Sequence, residues 1–403
     1  MMKTSPFESV ELAPRDPILG LTETFAADTR PTKVNLGVGV YCDDQGKVPL
    51  LRAVREAERA RVDAGVPRSY LPIEGLAAYD AAVQKILFGA DSPLIAAGRL
   101  VTAQALGGTG ALKIGADFLK RINPGAKVLI SDPSWENHRA LFEGAGFQVA
   151  AYPYYDPATH GLDFAGMCAA LRAAPAGTIV ALHACCHNPT GVDLTAAQWQ
   201  EVAQILKSQR LVAMLDIAYQ GFAEGVDADA SAVRLLAGEG LSFFVASSFS
   251  KSFSLYGERV GALTIVTGSR DESARVLSQL KRVIRTNYSN PPTHGGSIVA
   301  AILADPKLRA QWEDELAEMR NRIKAMRQAL VDGMKARGVK RDLSYVLKQN
   351  GMFSYSGLTP AQVDRLRDEF GIYAVATGRI CVAALNSKNI DYVCDALAKV
   401  VGD

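Results

Sequence analysis

Between about residues 100 and 270 the chain alternates short apolar runs with stretches whose hydrophobic residues recur every three to four positions. The apolar runs fall at 101–106, 127–131, 149–154, 178–186, 211–216, 243–248 and 261–266, with helical patterns such as 111–122 and 194–208 between them. Several runs are almost continuously hydrophobic, as strands buried on both faces are, so the pattern predicts a mostly parallel sheet covered by helices on both sides. A long amphipathic helix follows, with Leu308, Trp312, Leu316, Met319, Ile323, Met326, Leu330 and Met334 in steps of three and four. At its usual rise it would span about 40 Å, enough to carry the chain from one unit to the next. Beyond it, short strands at 352–355 and 380–383 mix with helices at 360–370 and 389–400. The first 45 residues, interrupted by Pro14, Pro17 and Pro31, either extend over another surface or join this last unit. The expected division is an N-terminal arm (1–14), a segment of a small domain (15–45), a large α/β domain (46–307), a connecting helix (308–334) and a small C-terminal α+β domain (335–403).

Composition narrows the function more than the fold. With 403 residues, 48% hydrophobic and 21% charged, the chain is an ordinary globular protein of more than one domain. Lys and Arg total 44 against 42 Asp and Glu, so the net charge of +2 provides no general field for nucleic acid or an acidic membrane. The densest basic cluster, Lys281-Arg282 with Arg285, reads as the polar face of a helix. No apolar run approaches the roughly 18 residues of a spanning helix, and Met1-Met2-Lys3-Thr4-Ser5-Pro6 does not lead into a signal-like stretch. A cytoplasmic protein is expected, its six scattered cysteines reduced.

In an open α/β sheet ligands bind beyond the carboxyl ends of the strands, so polar residues just after the apolar runs are the candidates. Four clusters qualify. Gly107-Gly108-Thr109-Gly110 runs into a helix and outlines an anion cradle, though it is neither the dinucleotide fingerprint nor the triphosphate P-loop. Cys185-Cys186-His187-Asn188-Pro189-Thr190-Gly191 offers an asparagine at a strand end. With His183 nearby a zinc site is conceivable there, but successive strand residues point to opposite faces, so no metal is expected. Asp216 ends an apolar run and needs a fixed cationic or hydrogen-bonding partner. Ser248-Phe249-Ser250-Lys251, continuing to Arg259, presents a lysine suited to Schiff-base chemistry. Singly, these have ordinary explanations: a Gly-rich turn, an Asn-Pro turn, a helix N-cap, a surface lysine. Together they match one ligand, pyridoxal 5'-phosphate, whose aldehyde needs a lysine, ring nitrogen an acid, phenolic oxygen donors, and phosphate a helix N-terminus and an arginine.

From Asp16-Pro17-Ile18-Leu19 to its end the chain resembles a class I, fold-type-I aminotransferase of the aspartate and aromatic-amino-acid subgroup. The resemblance rests on Asn35-Leu36-Gly37-Val38-Gly39-Val40-Tyr41, Gly107-Gly108-Thr109-Gly110-Ala111-Leu112, His187-Asn188-Pro189-Thr190-Gly191, Asp216 with Tyr219-Gln220-Gly221-Phe222, Ser248-Phe249-Ser250-Lys251, Asn287-Tyr288-Ser289-Asn290-Pro291-Pro292 and Gly351-Met352-Phe353-Ser354. It implies a homodimer whose large domain (46–307) binds pyridoxal 5'-phosphate. In it, Lys251 would form the Schiff base and shuttle the proton, and Asp216, supported by His138, would meet the ring nitrogen. Asn188 and Tyr219 would bond the phenolic oxygen, and Trp135 would cover the ring. Gly108, Thr109, Ser248, Ser250 and Arg259 would hold the phosphate, joined by Tyr70 from the other subunit. Arg379 would clamp the substrate α-carboxylate with help from Asn188 and Gly39, and Arg285 of the other subunit would meet a distal carboxylate.

Arg285 implies dicarboxylate substrates, while Ser69-Tyr70-Leu71-Pro72-Ile73-Glu74-Gly75, Asp132-Pro133-Ser134-Trp135-Glu136-Asn137, Asp216-Ile217-Ala218-Tyr219 and Phe253-Ser254-Leu255-Tyr256-Gly257-Glu258-Arg259 resemble the bacterial aromatic branch. Ala105 departs from the hydroxyl residue usual before the glycine turn, and Asn290 leans to the aspartate branch. The expectation is a dual-specificity aromatic-amino-acid aminotransferase, using tyrosine, phenylalanine or aspartate with 2-oxoglutarate; the alternative is a narrow aspartate aminotransferase. Decarboxylation or β-elimination has less use for both Arg285 and Arg379. A DNA-binding regulator would need a module ahead of Asp16, where the stretch is too short for a helix-turn-helix.

Overall fold

All seven apolar runs between residues 100 and 266 become strands of one sheet in the computed structural model, which describes residues 5–13 and 19–402. Pro14, Pro17 and the beginning of the Asp16-Pro17-Ile18-Leu19 motif lie outside the described residues. The strands are β1 (Leu100–Leu106), β2 (Lys127–Asp132), β3 (Gln148–Pro153), β4 (Ile179–His183), β5 (Val212–Ile217), β6 (Phe244–Ser248) and β7 (Val260–Val266). Their order in space is β1-β7-β6-β5-β4-β2-β3. Every neighbouring pair is parallel except those of β7, which runs antiparallel to both β1 and β6. The beginning of β7 therefore lies at the same edge of the sheet as the ends of the other six.

Pleating divides the core between the two faces. Met214 points to the side lined by Leu112, Leu263, Leu280 and Ile284, whereas Ala213, Leu215 and Ile217 point to the side packed by Trp199, Val202 and Leu206. The run at 178–186 stops being a strand at His183. The N–H groups of Cys186 and His187 instead bond the Asp193 carboxylate at 2.9 Å each, turning the chain out of the sheet. The argument from strand alternation against a metal therefore does not apply past His183: the His183 and His187 rings lie 4.3 Å apart.

The long helix covers Pro306–Ala336, begun by the Asp305 side chain, which accepts from the N–H groups of Lys307 and Leu308. Trp312, Leu316, Met319, Ile323, Leu330 and Met334 are buried, and Met326 partly so. Each fully buried side chain of this kind stabilises by about 1.5–3 kcal/mol. Trp312 stacks on Phe253 at 4.4 Å between ring centroids, and its indole N–H donates to the Ser252 carbonyl at 2.7 Å. This contact fixes the chain one residue past Lys251.

After the long helix, Phe353–Tyr355 pairs antiparallel with Arg379–Cys381, and the expected run at 380–383 breaks into a 3-10 turn at Val382–Ala384. Val34–Asn35 pairs in parallel with Ile372–Tyr373, so this early segment joins the C-terminal elements. The helices Leu19–Ala27, Arg52–Asp63, Ala77–Phe88 and His294–Ala304 are additional to those expected from the hydrophobic pattern. Among the described residues no helix is long and apolar enough to cross a membrane.

Candidate active site

A cavity of about 340 Å³ opens at the carboxyl edge of the sheet. Each neighbouring strand end contributes to it. From β1 come Gly108 and Thr109, in the first turn of the helix Gly107–Ile122, whose free N–H groups favour an anion. From β6 come Ser248, Ser250 and Lys251, and from the start of β7 comes Arg259. Arg259 reaches in because it adopts a left-handed φ of 53°; its guanidinium donates to the Tyr256 carbonyl at 2.9 Å and to the Ser250 hydroxyl at 3.4 Å. Gly107, at φ 69°, has no substitute: a Cβ there would sit 2.4 Å from an Arg259 nitrogen.

Asp216 stands on β5 with His183 of β4 and Ala246 of β6 as its register partners, and is 5% exposed. His138 Nε2 lies 3.0 Å from Asp216 Oδ2, and Ser134 Oγ lies 2.9 Å from His138 Nδ1. An ionised carboxylate only accepts, so His138 donates from Nε2, while its Nδ1 is bonded to the Ser134 hydroxyl. Burial opposes charge on Asp216, but the His138 hydrogen bond and the nearby His138, His183 and Lys251 outweigh it and hold the carboxyl below its ordinary range. Lys251 shows the complementary effect. Burial, aided by Arg259 and opposed by Asp216, pushes its ammonium down to about 8, which makes the neutral amine accessible. Its Nζ lies 4.9 Å from the centre of the Tyr219 ring. Burial pushes the Tyr219 phenol upward against the pull of Arg379, so it remains a hydroxyl donor.

The opposite wall is built from distant segments. Arg379, 1% exposed, donates from Nη1 to Asn188 Oδ1 at 3.1 Å and from Nη2 to the Gly37 carbonyl at 2.7 Å. Its guanidinium lies 4.3 Å from the centre of the Phe353 ring. Its Nε has no hydrogen bond, and among the described residues no carboxylate pairs with it. A buried cation with an unused donor is suited to a ligand that brings its own carboxylate. Gly39 allows this wall to close, since a Cβ there would meet the Phe353 ring at 2.7 Å.

Of the residues expected from the sequence, Gly39, Gly108, Thr109, Trp135, Asn188, Asp216, Tyr219, Ser248, Ser250, Lys251, Arg259 and Arg379 all line this one cavity. His138 lies directly behind Asp216. Tyr70 and Arg285 are not brought in: Tyr70 is 91% exposed, and Arg285 lies on the surface of the helix Arg270–Asn287, bonded to the Ser289 hydroxyl. Four lining residues had no assigned place in the site: His183, Ala218, Tyr256 and Phe353. A two-residue step from Asp216 was signal enough for Ala218; the others arrive through long-range packing. The ligand atoms of His138, His183 and Asp216 lie close together, as do those of Cys185, Cys186 and Asp229. In the first group the His138–Asp216 hydrogen bond occupies two of them; in the second, Asp229 accepts four backbone N–H bonds from Gly221, Ala223, Glu224 and Gly225.

Comparison with known proteins converges on the same chemistry. The family model for aminotransferase class I and II matches residues 31–397. The aspartate aminotransferase of Pseudomonas aeruginosa is 66% identical over 397 residues, covering 98% of this chain and 100% of that protein. The aromatic-amino-acid aminotransferase of Escherichia coli is 52% identical over 397 residues, with the same coverage. The crystal structure of the aromatic-amino-acid aminotransferase from Burkholderia pseudomallei, covalently bound to pyridoxal phosphate, matches with a TM-score of 0.97 at 72% identity, covering 98% of this chain and 100% of that one. The cavity fits such a group: an amine, an acid and an anion cradle with a cation stand at one sheet edge, and the cradle is one that a Cβ at Gly107 would fill.

Proposed function

Because this chain belongs to the aminotransferase class I and II family and is a transaminase working with pyridoxal 5'-phosphate, we propose that it has dual specificity, moving the amino group of tyrosine, phenylalanine or aspartate to 2-oxoglutarate in two half-reactions. The observation that carries this reading is the contrast between its two substrate arginines. Arg379 is buried and held from two sides, whereas Arg285 is exposed and, among the described residues, bonded only to Ser289. Held by its own chain only at Ser289, Arg285 is free to turn towards a distal carboxylate or away from an uncharged ring.

When bound, the cofactor supplies a carbon that captures amines and a cationic ring that draws electrons from the substrate Cα. Lys251 would hold the group through its amine and would take and return the substrate Cα proton at Nζ. Asp216, kept ionised by His138, holds a proton on the ring nitrogen. Asn188 and Tyr219 donate to the ring oxygen, Trp135 covers the ring, and Gly108, Thr109, Ser248, Ser250 and Arg259 bind the phosphate. Arg379 takes the α-carboxylate as a bidentate pair, one edge of its guanidinium against the two carboxylate oxygens, assisted by Asn188 and the backbone at Gly39.

The same reading includes a cytoplasmic homodimer in which a second copy contributes Tyr70 and Arg285, supported by the exposure of both residues. It also includes the division into a large domain (46–307) and a small one (15–45 with 335–403), joined by 308–334 and preceded by an arm (1–14). The pairing of Val34–Asn35 with Ile372–Tyr373 supports that division. The test is a single turnover of the purified holoenzyme, followed by its visible cofactor absorption, with phenylalanine and with aspartate. Comparable discharge by both is expected; discharge by aspartate alone overturns dual specificity and leaves a narrow aspartate aminotransferase.

A further inference from the structure

Beneath the Phe353 wall lies a second buried arginine. Arg327, on the inner face of the helix Pro306–Ala336, is 2% exposed. Its guanidinium donates only to main-chain carbonyls: Nη1 to Val346 at 3.2 Å, and Nη2 to Gly351 at 2.9 Å and Phe353 at 2.5 Å. Among the described residues no carboxylate pairs with it. Burial pushes its pKa down to about 10, against the pull of Cys186, Cys381 and Asp193, so it remains a cation at neutral pH. An interior cation with no carboxylate in direct contact contributes little to stability alone, since an apolar side chain of similar volume fills the space without desolvating a charge. What only a planar fork provides is a simultaneous grip on carbonyls from both sides of a bend.

That bend carries Phe353, whose ring lies against the Arg379 guanidinium while its carbonyl sits in the fork of Arg327. The far side of the same segment is also pinned. Asn350 donates through its N–H to the Gly191 carbonyl at 2.7 Å and through Nδ2 to Asp193 at 3.1 Å. Asp193 in turn holds the turn that presents Asn188, the other partner of Arg379. We propose that Arg327 is a positioning residue for substrate recognition: by fixing the carbonyls of Gly351 and Phe353 it sets the plane on which the Arg379 guanidinium lies. It touches neither substrate nor cofactor and acts through Phe353. The inference rests on the reading of Arg379 as the α-carboxylate clamp.

The experiment compares Arg327→Lys, Arg327→Met and Arg379→Lys holoenzymes by steady-state kinetics with aspartate and phenylalanine, visible cofactor absorption and Tm. For Arg327→Lys, which keeps the charge and loses the fork, KM is expected to rise about tenfold for both amino acids, with kcat within about threefold and the absorption unchanged. Arg327→Met should raise KM at least as much; if it does not fold, the lysine variant decides. A lowered Tm with unchanged KM in Arg327→Lys would reduce Arg327 to a purely structural role and overturn the inference. Arg379→Lys separates the two readings. If it raises KM and Arg327→Lys does not, only the positioning role fails; if it leaves KM unchanged, the clamp reading fails as well.

Discussion

At the sheet end of the cavity each polar group stands within a few residues of a strand terminus, so the hydrogen-bond ladder sets its position: Asp216 within β5, Ser248 at the end of β6, Arg259 at the entry to β7. At the other end Gly37, Asn188, Phe353 and Arg379 come from segments far apart in the chain, and side-chain bonds hold them together. A group on a strand end can be replaced without moving its neighbours, because their frame does not depend on its side chain. A group in the second assembly is both contact and scaffold, so its loss spreads. Chemistry should therefore be separable from structure at the first end and entangled with it at the second.

The sharpest way to break this comparison is Lys251→Ala. Turnover should fall by about 10⁴-fold or more, because one group supplies both the covalent anchor and the proton transfer. The variant should still bind the cofactor, and steady-state assay with a cofactor-binding titration checks both. Turnover within tenfold of the parent protein would remove Lys251 from its role. A smaller and selective effect is expected from Arg285→Leu, which belongs to neither end of this chain's own cavity. The kcat/KM for aspartate should drop about tenfold or more, and that for phenylalanine less than about threefold. Equal losses would contradict a distal-carboxylate role.

The smallest effect concerns pH. With its ammonium pushed down to about 8, Lys251 is neutral in the apoprotein well below the range of a free lysine. Cofactor loading by the apoenzyme should thus accelerate as pH rises through about 8 and then level off, rather than climb on towards 10.5. The folded state also binds fewer protons than the unfolded one between these values, so this group's contribution to stability increases with pH across that window. Asp216 favours the ammonium, so Asp216→Asn should move the loading midpoint lower, and stopped-flow mixing across pH measures it. A midpoint near 10 would show that burial does not tune the amine.

How legible each end was in the sequence follows from how it is built. The strands of the large sheet were visible as apolar runs, and the polar residues trailing them converge because a mostly parallel sheet collects its strand ends at one edge. Asp216, Lys251 and the Gly108-Thr109 turn follow from that rule alone, without any family resemblance. The reversal of β7, which brings Arg259 to the same edge, had no local signature. Nor did the pairing of Val34–Asn35 with Ile372–Tyr373, a two-residue strand whose partner lies most of the chain away. Phe353 and Tyr256 read locally as ordinary aromatics, and only tertiary packing turns them towards the cavity. Arg379 and Arg285 were distinguished by resemblance alone, because nothing in their neighbouring residues says that one is enclosed and the other is not.

The reversed strand also imposes an order in time. β1 is the first strand of the large sheet to be made, yet its sheet partner is β7, the last. As the chain emerges during synthesis, the Gly107–Thr109 turn has no settled edge to stand on until residue 266 has been delivered and β7 has wedged itself between β1 and β6. A chain ending before β7 would carry Lys251 without the sheet edge on which the anion cradle stands.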